Sequence, residues 1–146
     1  MDALERLAAI EEIKALKARY FRSIDTKDWD GFRAVFTDGA VMDMTEAQAG
    51  PDAGVITGAD AMCAHVRSTM ERFGSVHHGH MPEIDVIGPD EASGVWAMDD
   101  ELFWTSRTGQ ARHMHGFGHY HDTYARVGGR WLISSTRLTR LRVETG

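Results

Sequence analysis

The sequence has one cysteine, three prolines and no cluster of lysines or arginines. Cys63 cannot form an internal disulfide and has no Cys or His at zinc-finger spacing, so a disulfide framework and a cysteine-based zinc site are both excluded. The formal charge of −6 argues against a nucleic-acid partner, because a phosphate backbone needs a basic surface. No stretch approaches the roughly 18 apolar residues that cross a membrane, and residues 1–6 lack a basic segment followed by an apolar one. We therefore expect a cytoplasmic protein with no membrane partner.

The motifs of several common enzyme classes are also missing. No G-x-S-x-G, Walker A or G-x-G-x-x-G pattern occurs, which argues against the common serine hydrolases, P-loop proteins and dinucleotide enzymes. We expect no cofactor. With 146 residues, of which 42% are apolar, the chain is long enough for one core but too short for two ordinary domains. We predict a single domain over residues 1–146.

Apolar residues at helical spacing mark the first half of the chain. Those between Leu4 and Ile24 recur every three or four residues, which predicts a long amphipathic helix. Thr26 and Asp28 offer caps for a second, short helix. One face of that helix carries Trp29, Phe32 and Phe36. A third helix is predicted from about residue 57 to Gly74, and a strand over residues 40–44 precedes a polar loop to Gly54 that we interpret as a mobile lid.

The second half has the composition of strands. Four long segments are rich in β-branched and aromatic residues, and turn residues separate them. They cover residues 75–87, 92–104, 112–124 and 130–143. A chain with helices first and an antiparallel meander afterwards predicts an α+β fold, in which N-terminal helices pack on one face of a strongly curved antiparallel sheet.

Asp25 ends the core-facing row of the first helix. It follows Ala18 and Phe21 at helical spacing, so its carboxylate falls where a core residue is expected. A buried carboxylate is costly unless it has a partner. Asp25 therefore either ends the helix facing water or meets a partner inside the fold.

Three histidines, His77, His78 and His80, lie within four residues of the first long strand. Successive side chains of a strand point to opposite faces, so His77 and His78 diverge and at most one of them meets Asp25. A hydrogen-bonded core histidine and a catalytic histidine both fit this pattern. In a catalytic pair the carboxylate fixes the imidazole tautomer, which leaves the other ring nitrogen free to take a proton.

The next strand has one face that is mostly large and apolar, with a single acid. The members of this face are Trp96, Met98, Asp100, Leu102 and Trp104. Such a face is typical of a pocket wall, or equally of an ordinary packing face with Asp100 at its edge.

A second histidine-rich run lies on the third long strand. His113, His115, His119 and His121 share one face, and two-residue spacing suits zinc or copper. The alternative is a solvated or subunit-contact surface. The opposite face, with Gly116, Gly118 and Tyr120, indicates space for a ligand.

Taken together, these stretches resemble a known family. Residues 10–30, IEEIKALKARYFRSIDTKDWD, resemble the opening of the SnoaL-like family of the nuclear transport factor two-like superfamily. The similarity continues through HHGHMPEI at 77–84, GVW at 94–96 and GRW at 129–131. Within the family the sequence looks closest to bile-acid 7α-dehydratase and, more distantly, to scytalone dehydratase. The resemblance covers nearly the whole chain and implies a cone-shaped α+β roll.

The resemblance also implies roles for particular residues. In those dehydratases an Asp at the end of the first helix pairs with a His on the first long strand, and the matching residues here are Asp25 and His77. An active-site Tyr matches Tyr20, and a pocket Asp on the second long strand matches Asp100. A pocket Tyr of both enzymes falls on Met44, so that role is absent or filled by another residue.

The implied function is cofactor-free acid–base catalysis by a lyase, specifically a dehydratase. His77, oriented by Asp25, would remove a proton near the carbonyl of a small, apolar, hydroxylated ring compound, steroid-like or polyketide-like, and Tyr20 or Asp100 would assist. The expected pocket residues are Trp96, Met98, Trp104, Tyr120 and Met44.

Three other functions remain open. A double-bond isomerase would use the same groups, and a non-catalytic small-molecule binding module would use the same fold. A metal-dependent enzyme would use His113, His115 or His119. In each case the resemblance implies a homodimer or homotrimer, since family members usually bury the open sheet face against another copy.

Overall fold

Three helices and a six-stranded sheet make up the part of the chain that the computed structural model describes, residues 1–47 and 54–146. Helix α1 spans Ala3–Asp25, and α2 spans Trp29–Arg33. The Asp2 carboxylate caps α1 by accepting a hydrogen bond from the Glu5 amide, and the Glu5 carboxylate accepts one from the Asp2 amide. No helix among these residues is long and apolar enough to cross a membrane.

The strands are short at first and long afterwards. Strand β1 spans Phe36–Asp43 and β2 spans Val55–Thr57, and helix α3 follows at Ala59–Met70. The remaining strands are β3 at Gly74–Gly88, β4 at Glu91–Thr105, β5 at Ala111–Val127 and β6 at Arg130–Thr145.

The sheet order is β2-β1-β6-β5-β4-β3. Strands β3 to β6 form an antiparallel meander, whereas β1 runs parallel to β6 and antiparallel to β2. Register shifts interrupt the pairing between Gly79 and Pro82 on β3 and between Phe117 and Gly118 on β5. Such bulges bend strands, so the unclosed sheet curves around the helices. The predicted α+β fold is confirmed, with one parallel strand pair added to it.

The helices and the inner face of the sheet share one apolar core. Alternate residues of β4 and β5 are buried, as expected for a sheet covered on one face. Helix α1 contributes Ala9, Ile13, Leu16, Tyr20, Phe21 and Ile24. The sheet contributes residues that include Met42, Trp96, Met98, Tyr120, Tyr124, Ile133 and Leu138. Lys17, which is 0% exposed, lies on the same side of α1 as these apolar residues.

Two elements differ from the sequence prediction. Phe36 begins β1 instead of lying on the second helix, because the Ile133 amide donates a hydrogen bond of 2.8 Å to the Val35 carbonyl and draws the chain to β6. Residues 55–57, which carried no strand prediction, pair with β1 as β2. The predicted lid falls mainly on residues 48–53, which lie outside the described residues.

Candidate active site

Asp25 and His77 form a close hydrogen-bonded pair. Asp25 is the last residue of α1, and its Oδ1 lies 2.6 Å from His77 Nδ1. Its Oδ2 accepts a hydrogen bond of 2.8 Å from the His77 amide, so one carboxylate fixes both the backbone and the ring of His77. The Ser75 hydroxyl donates to Asp25 Oδ1 at 2.9 Å. Because a carboxylate only accepts, we assign the ring proton to Nδ1, which leaves the lone pair on Nε2.

The surroundings of Asp25 favour its ionised form. Burial raises the pKa of this carboxyl, but the hydrogen bonds from His77 and Ser75 lower it, and the net result is a pKa below the usual value. His77 itself is only 6% exposed and stacks its ring on that of Phe21, at a centroid distance of 6.3 Å. Gly79 permits this packing, because a Cβ there would lie 2.6 Å from the Phe21 ring.

A second ion pair lies on the other side of His77. The Arg140 guanidinium holds Asp100 with both terminal nitrogens, Nη1 at 2.5 Å from Oδ1 and Nη2 at 3.1 Å from Oδ2. Both side chains are under 9% exposed. His77 Nε2 lies 3.9 Å from Asp100 Oδ2, so the ring sits between two carboxylates, one hydrogen-bonded and one more distant.

Arg140 and Ser75 are the site residues that sequence reasoning missed. The sequence signal that could have indicated Arg140 was Gly116, which leaves space on the inner face of β5. That space was interpreted as room for a ligand. The structure corrects that interpretation: a Cβ at Gly116 would lie 2.3 Å from Arg140 Nη1, so the guanidinium fills the space. A Cβ at Gly118 would similarly lie 1.9 Å from the Thr139 carbonyl oxygen.

Two tyrosines lie close to these carboxylates. The rings of Tyr20 and Tyr120 pack edge to face at a centroid distance of 5.8 Å. Burial raises the pKa of both hydroxyls. The negative charge of Asp122 adds to the rise at Tyr20, and that of Asp100 adds to it at both tyrosines. Both tyrosines therefore stay protonated at neutral pH and act as neutral hydrogen-bond donors.

The expected pocket residues are spread along the inner face. Met98 is buried and its Sδ lies 3.7 Å from Arg140 Nη1, next to the acid–base groups. Trp96 and Trp104 are separated by eight residues on β4, roughly 26 Å along an ideal extended strand. Trp104 packs on Phe73 at a centroid distance of 5.3 Å. Met44 is half-buried against the core.

This packing covers most of His77, whose side chain is 6% exposed, and leaves the Asp25 side chain 21% exposed. A groove of about 700 Å³ lies elsewhere, on the outer face of the sheet among residues such as Glu83, His121 and Arg137, and contains neither Asp25 nor His77.

The four histidines of β5 do not converge on one point, although the rings of His119 and His121 lie 6.3 Å apart. His115 Nε2 lies 2.9 Å from Asp99 Oδ2, while His121 Nε2 bonds the Thr139 hydroxyl at 3.0 Å. His113 is exposed beside Gly146. Over residues 1–47 and 54–146, no group of three His, Cys, Asp or Glu side chains is arranged to hold a metal ion.

Comparison with known proteins places this geometry in context. The profile of a family described as SnoaL-like domain matches residues 5–137. A protein of Gibberella zeae named probable cyclase FGR4 is 30% identical over 138 residues, which cover 88% of this chain and 89% of that protein.

Solved structures agree on the fold. A scytalone dehydratase-like protein of Novosphingobium aromaticivorans superposes with a TM-score of 0.85 at 20% identity, covering 98% of this chain and 91% of its own. A hexachlorocyclohexane dehydrochlorinase, LinA-type3 of Novosphingobium barchaimii, superposes with a TM-score of 0.81 at 17% identity. The superposition covers 99% of this chain and 94% of the dehydrochlorinase. At these identities the likeness establishes the α+β cone.

Proposed function

Because the chain belongs to the SnoaL-like domain family, we propose that it is a cofactor-free acid–base enzyme, a dehydratase acting on a hydroxylated, ring-containing carbonyl compound. The relatives that support an enzyme of small-molecule chemistry carry the names cyclase, dehydrochlorinase and scytalone dehydratase. The observation that carries the proposal is the state of His77. Its Nδ1 is bound to Asp25, and Nε2 has no hydrogen-bond partner among the described residues.

The proposed reaction begins at His77 Nε2. This nitrogen takes a proton from the carbon next to, or conjugated with, the substrate carbonyl, and the C–H electron pair moves into the ring system to form an enolate. Asp25 stabilises the imidazolium that results, since it accepts the Nδ1 proton at 2.6 Å. Tyr20, a protonated donor near the site, stabilises the enolate oxygen.

Loss of water completes the reaction. The enolate electrons form a carbon–carbon double bond and expel the hydroxyl, which leaves as water after taking the proton from His77 Nε2. Asp100, 3.9 Å from that nitrogen, is placed to orient the leaving hydroxyl, and Arg140 fixes Asp100. The proton taken in the first step is returned in the second, so the cycle needs no external acid.

The substrate is proposed to be apolar and polycyclic, of steroid or polyketide type. The side chains that support this are aromatic or aliphatic: Phe21 stacks on His77, Tyr120 packs on Phe21, and Met98 lies beside Arg140. A double-bond isomerase remains the alternative reaction, since return of the proton to a second carbon needs no leaving group.

The test is a panel of polycyclic hydroxy-ketones incubated in D₂O with wild type and His77→Ala. Loss of water from one compound, followed by mass spectrometry and abolished in His77→Ala, is the expected result. Deuterium uptake with a shifted double bond and no loss of water would instead indicate the isomerase. Binding without either change would contradict catalysis and leave a small-molecule binding module.

We also propose that the protein is a homodimer or homotrimer that covers the outer face of the sheet. Large apolar side chains there support this: Phe103 on β4 and Leu141 on β6 are 51% and 76% exposed. Sedimentation equilibrium measures the assembly, and Leu141→Glu is expected to weaken it. A monomer at all concentrations would refute the proposal.

A further inference from the structure

A second set of charged groups lies in the core, behind Tyr20 and Tyr120. The side chains of Lys17 on α1 and Asp122 on β5 are both 0% exposed, and Lys17 Nζ lies 2.8 Å from Asp122 Oδ2. The two groups are not aligned as a hydrogen bond, so the contact is an ion pair. This pair joins the helix to the sheet inside the apolar core.

Asp122 is held by neutral donors as well as by Lys17. The Thr136 hydroxyl donates to Oδ1 at 2.7 Å, and the Tyr124 hydroxyl donates to Oδ2 at 3.0 Å. Trp96 Nε1 donates in turn to the Tyr124 hydroxyl at 2.9 Å. The carboxylate is therefore fixed in one position, and it fixes the ammonium beside it.

The ammonium of Lys17 also faces the rings of both tyrosines of the site. Its Nζ lies 3.8 Å from the Tyr120 ring centroid and 4.1 Å from that of Tyr20. Tyr20 follows Lys17 by one turn of α1, and Tyr120 precedes Asp122 by two residues on β5. Each member of the ion pair thus shares an element with one tyrosine, and the pair fixes the two rings relative to each other.

A purely structural role does not explain why this contact is ionic. Burial lowers the pKa of Lys17, and the charge of Asp122 acts against that change. Two buried charges lose their hydration, so apolar side chains of similar volume would connect α1 to β5 at lower cost. The charge on Lys17 has a use, however, if negative charge develops on a molecule bound at the Tyr20 hydroxyl. The tyrosine ring then becomes more electron-rich, and a cation against the face of a ring favours that state.

We propose that Lys17 and Asp122 are a positioning pair for the active site. The ammonium fixes Tyr20 and Tyr120 and strengthens the Tyr20 hydroxyl as a donor to an enolate oxygen. This inference rests on the proposed function, in which Tyr20 faces an enolate. Asp122 acts by holding Lys17, and neither residue contacts the substrate.

The key variant removes both charges. Lys17→Met alone leaves the Asp122 carboxylate buried without its cation and can prevent folding. The double variant Lys17→Met/Asp122→Asn avoids this, since the amide still accepts a hydrogen bond from Thr136 or Tyr124. Lys14→Met is the matched control, because Lys14 lies on the same helix but is 43% exposed and pairs with Glu11.

Binding of substituted 2-naphthols measures the effect on negative charge, since a naphtholate resembles a ring enolate. Naphthalene-2-methanol has the same rings without an acidic hydroxyl and reports packing alone. We expect wild type and Lys14→Met to bind more acidic naphthols more tightly. The double variant should lose roughly tenfold in affinity for the most acidic naphthol and less than twofold for the alcohol. An unchanged preference for acidic naphthols in the double variant would overturn the inference.

Carbon-13 NMR of the tyrosine Cζ atoms gives a second readout that needs no ligand. The chain has three tyrosines, so Tyr→Phe variants assign every signal. The double variant should shift the Tyr20 and Tyr120 signals, whereas Lys14→Met should not. If wild type binds no naphthol, the proposed function loses support, and unchanged Tyr20 and Tyr120 signals in the double variant would refute the pairing independently.

Discussion

His77 and His78 are neighbours on β3 that face opposite sides of the sheet, and each has an aspartate partner. The inner pair, His77 with Asp25, is 2.6 Å apart and its imidazole is 6% exposed. On the outer face, the Asp99 carboxylate lies 2.8 Å from a ring nitrogen of His80 and 2.9 Å from one of His115. A ring nitrogen of His78 lies 3.5 Å from the same carboxylate, and the His78 side chain is 59% exposed. The residue types are the same in both places. The two sides differ in two respects. On the inner side the imidazole is largely buried and a second carboxylate, Asp100, lies near it, and this side can perform acid–base chemistry. On the outer side water screens the charges.

The largest expected difference between the two sides is in catalysis. Asp25→Asn removes the charge that stabilises a protonated His77, so turnover should fall about a hundredfold or more. Asp99→Asn, the matched change on the outer face, should alter turnover less than twofold. Rates on the substrate found by the hydroxy-ketone panel, measured for both variants, check this. Equal losses would mean that enclosure does not define the site.

Arg140 and Arg142 extend the comparison to stability. Arg140→Met leaves Asp100 buried without its cation, which should cost about 3–5 kcal/mol in the free energy of unfolding. Arg142 is 71% exposed and pairs with Glu144, so Arg142→Met should lower the free energy of unfolding by about 0.5 kcal/mol or less. Urea unfolding of both variants measures the difference, and a small loss for Arg140→Met would show that Asp100 finds another partner.

Gly116 sharpens the comparison within the inner face. Gly116→Ala places a methyl group against the Arg140 guanidinium, which must move, and overpacking of this kind costs about 1–3 kcal/mol. Gly88→Ala is the control, since a Cβ at Gly88 meets nothing within 4 Å. Thermal unfolding should show a lower Tm for Gly116→Ala only.

The smallest expected effect concerns acid stability. Burial raises and hydrogen bonds from histidines lower the pKa of both Asp25 and Asp99, and both values end below normal. Each carboxylate therefore stabilises the fold above its unfolded pKa of about 3.9, and this contribution is lost as pH falls through the lower folded value. Unfolding from pH 6 to pH 2.5 should show a shallower decline for Asp25→Asn than for wild type. The Asp99→Asn effect should be smaller and should shrink in 1 M salt, because Asp99 pairs with exposed histidines.

Strand alternation predicted that at most one of His77 and His78 meets Asp25, and it holds there because no bulge separates Ser75 from Gly79. The family resemblance selected His77. Strand alternation fails on β6. Trp131 and Ile133 are buried at odd positions, but Thr136, Leu138 and the Arg140 side chain are buried at even ones. Ser134 is the extra residue at a register shift opposite Thr123 and Tyr124, and it reverses the alternation. The face of Arg140 therefore could not be predicted from sequence spacing.

Lys17 escaped prediction for a different reason. A lysine beside a helix's apolar face usually extends its charge to water, so the pattern of α1 gave no sign of burial. Its partner Asp122 lies 105 positions later in the numbering, on β5. The site predictions for that strand concerned its histidines, which lie on the face opposite to Asp122. Long-range charge pairing of this kind is set by how helix and sheet pack, which local sequence does not encode.

The place of β6 in the sheet has a consequence for how the protein is made. This strand comes after every other strand in the chain, yet it lies between β1 and β5. During synthesis β1 and β2 have no neighbour in the main sheet until β6 emerges, and Arg140 arrives with it. Closing such a long loop is slow compared with forming the β3–β5 meander. A ribosome-bound chain that stops before β6 thus contains Asp25 and His77 but leaves the edge of β5 unpaired, and such an exposed edge can pair with another chain.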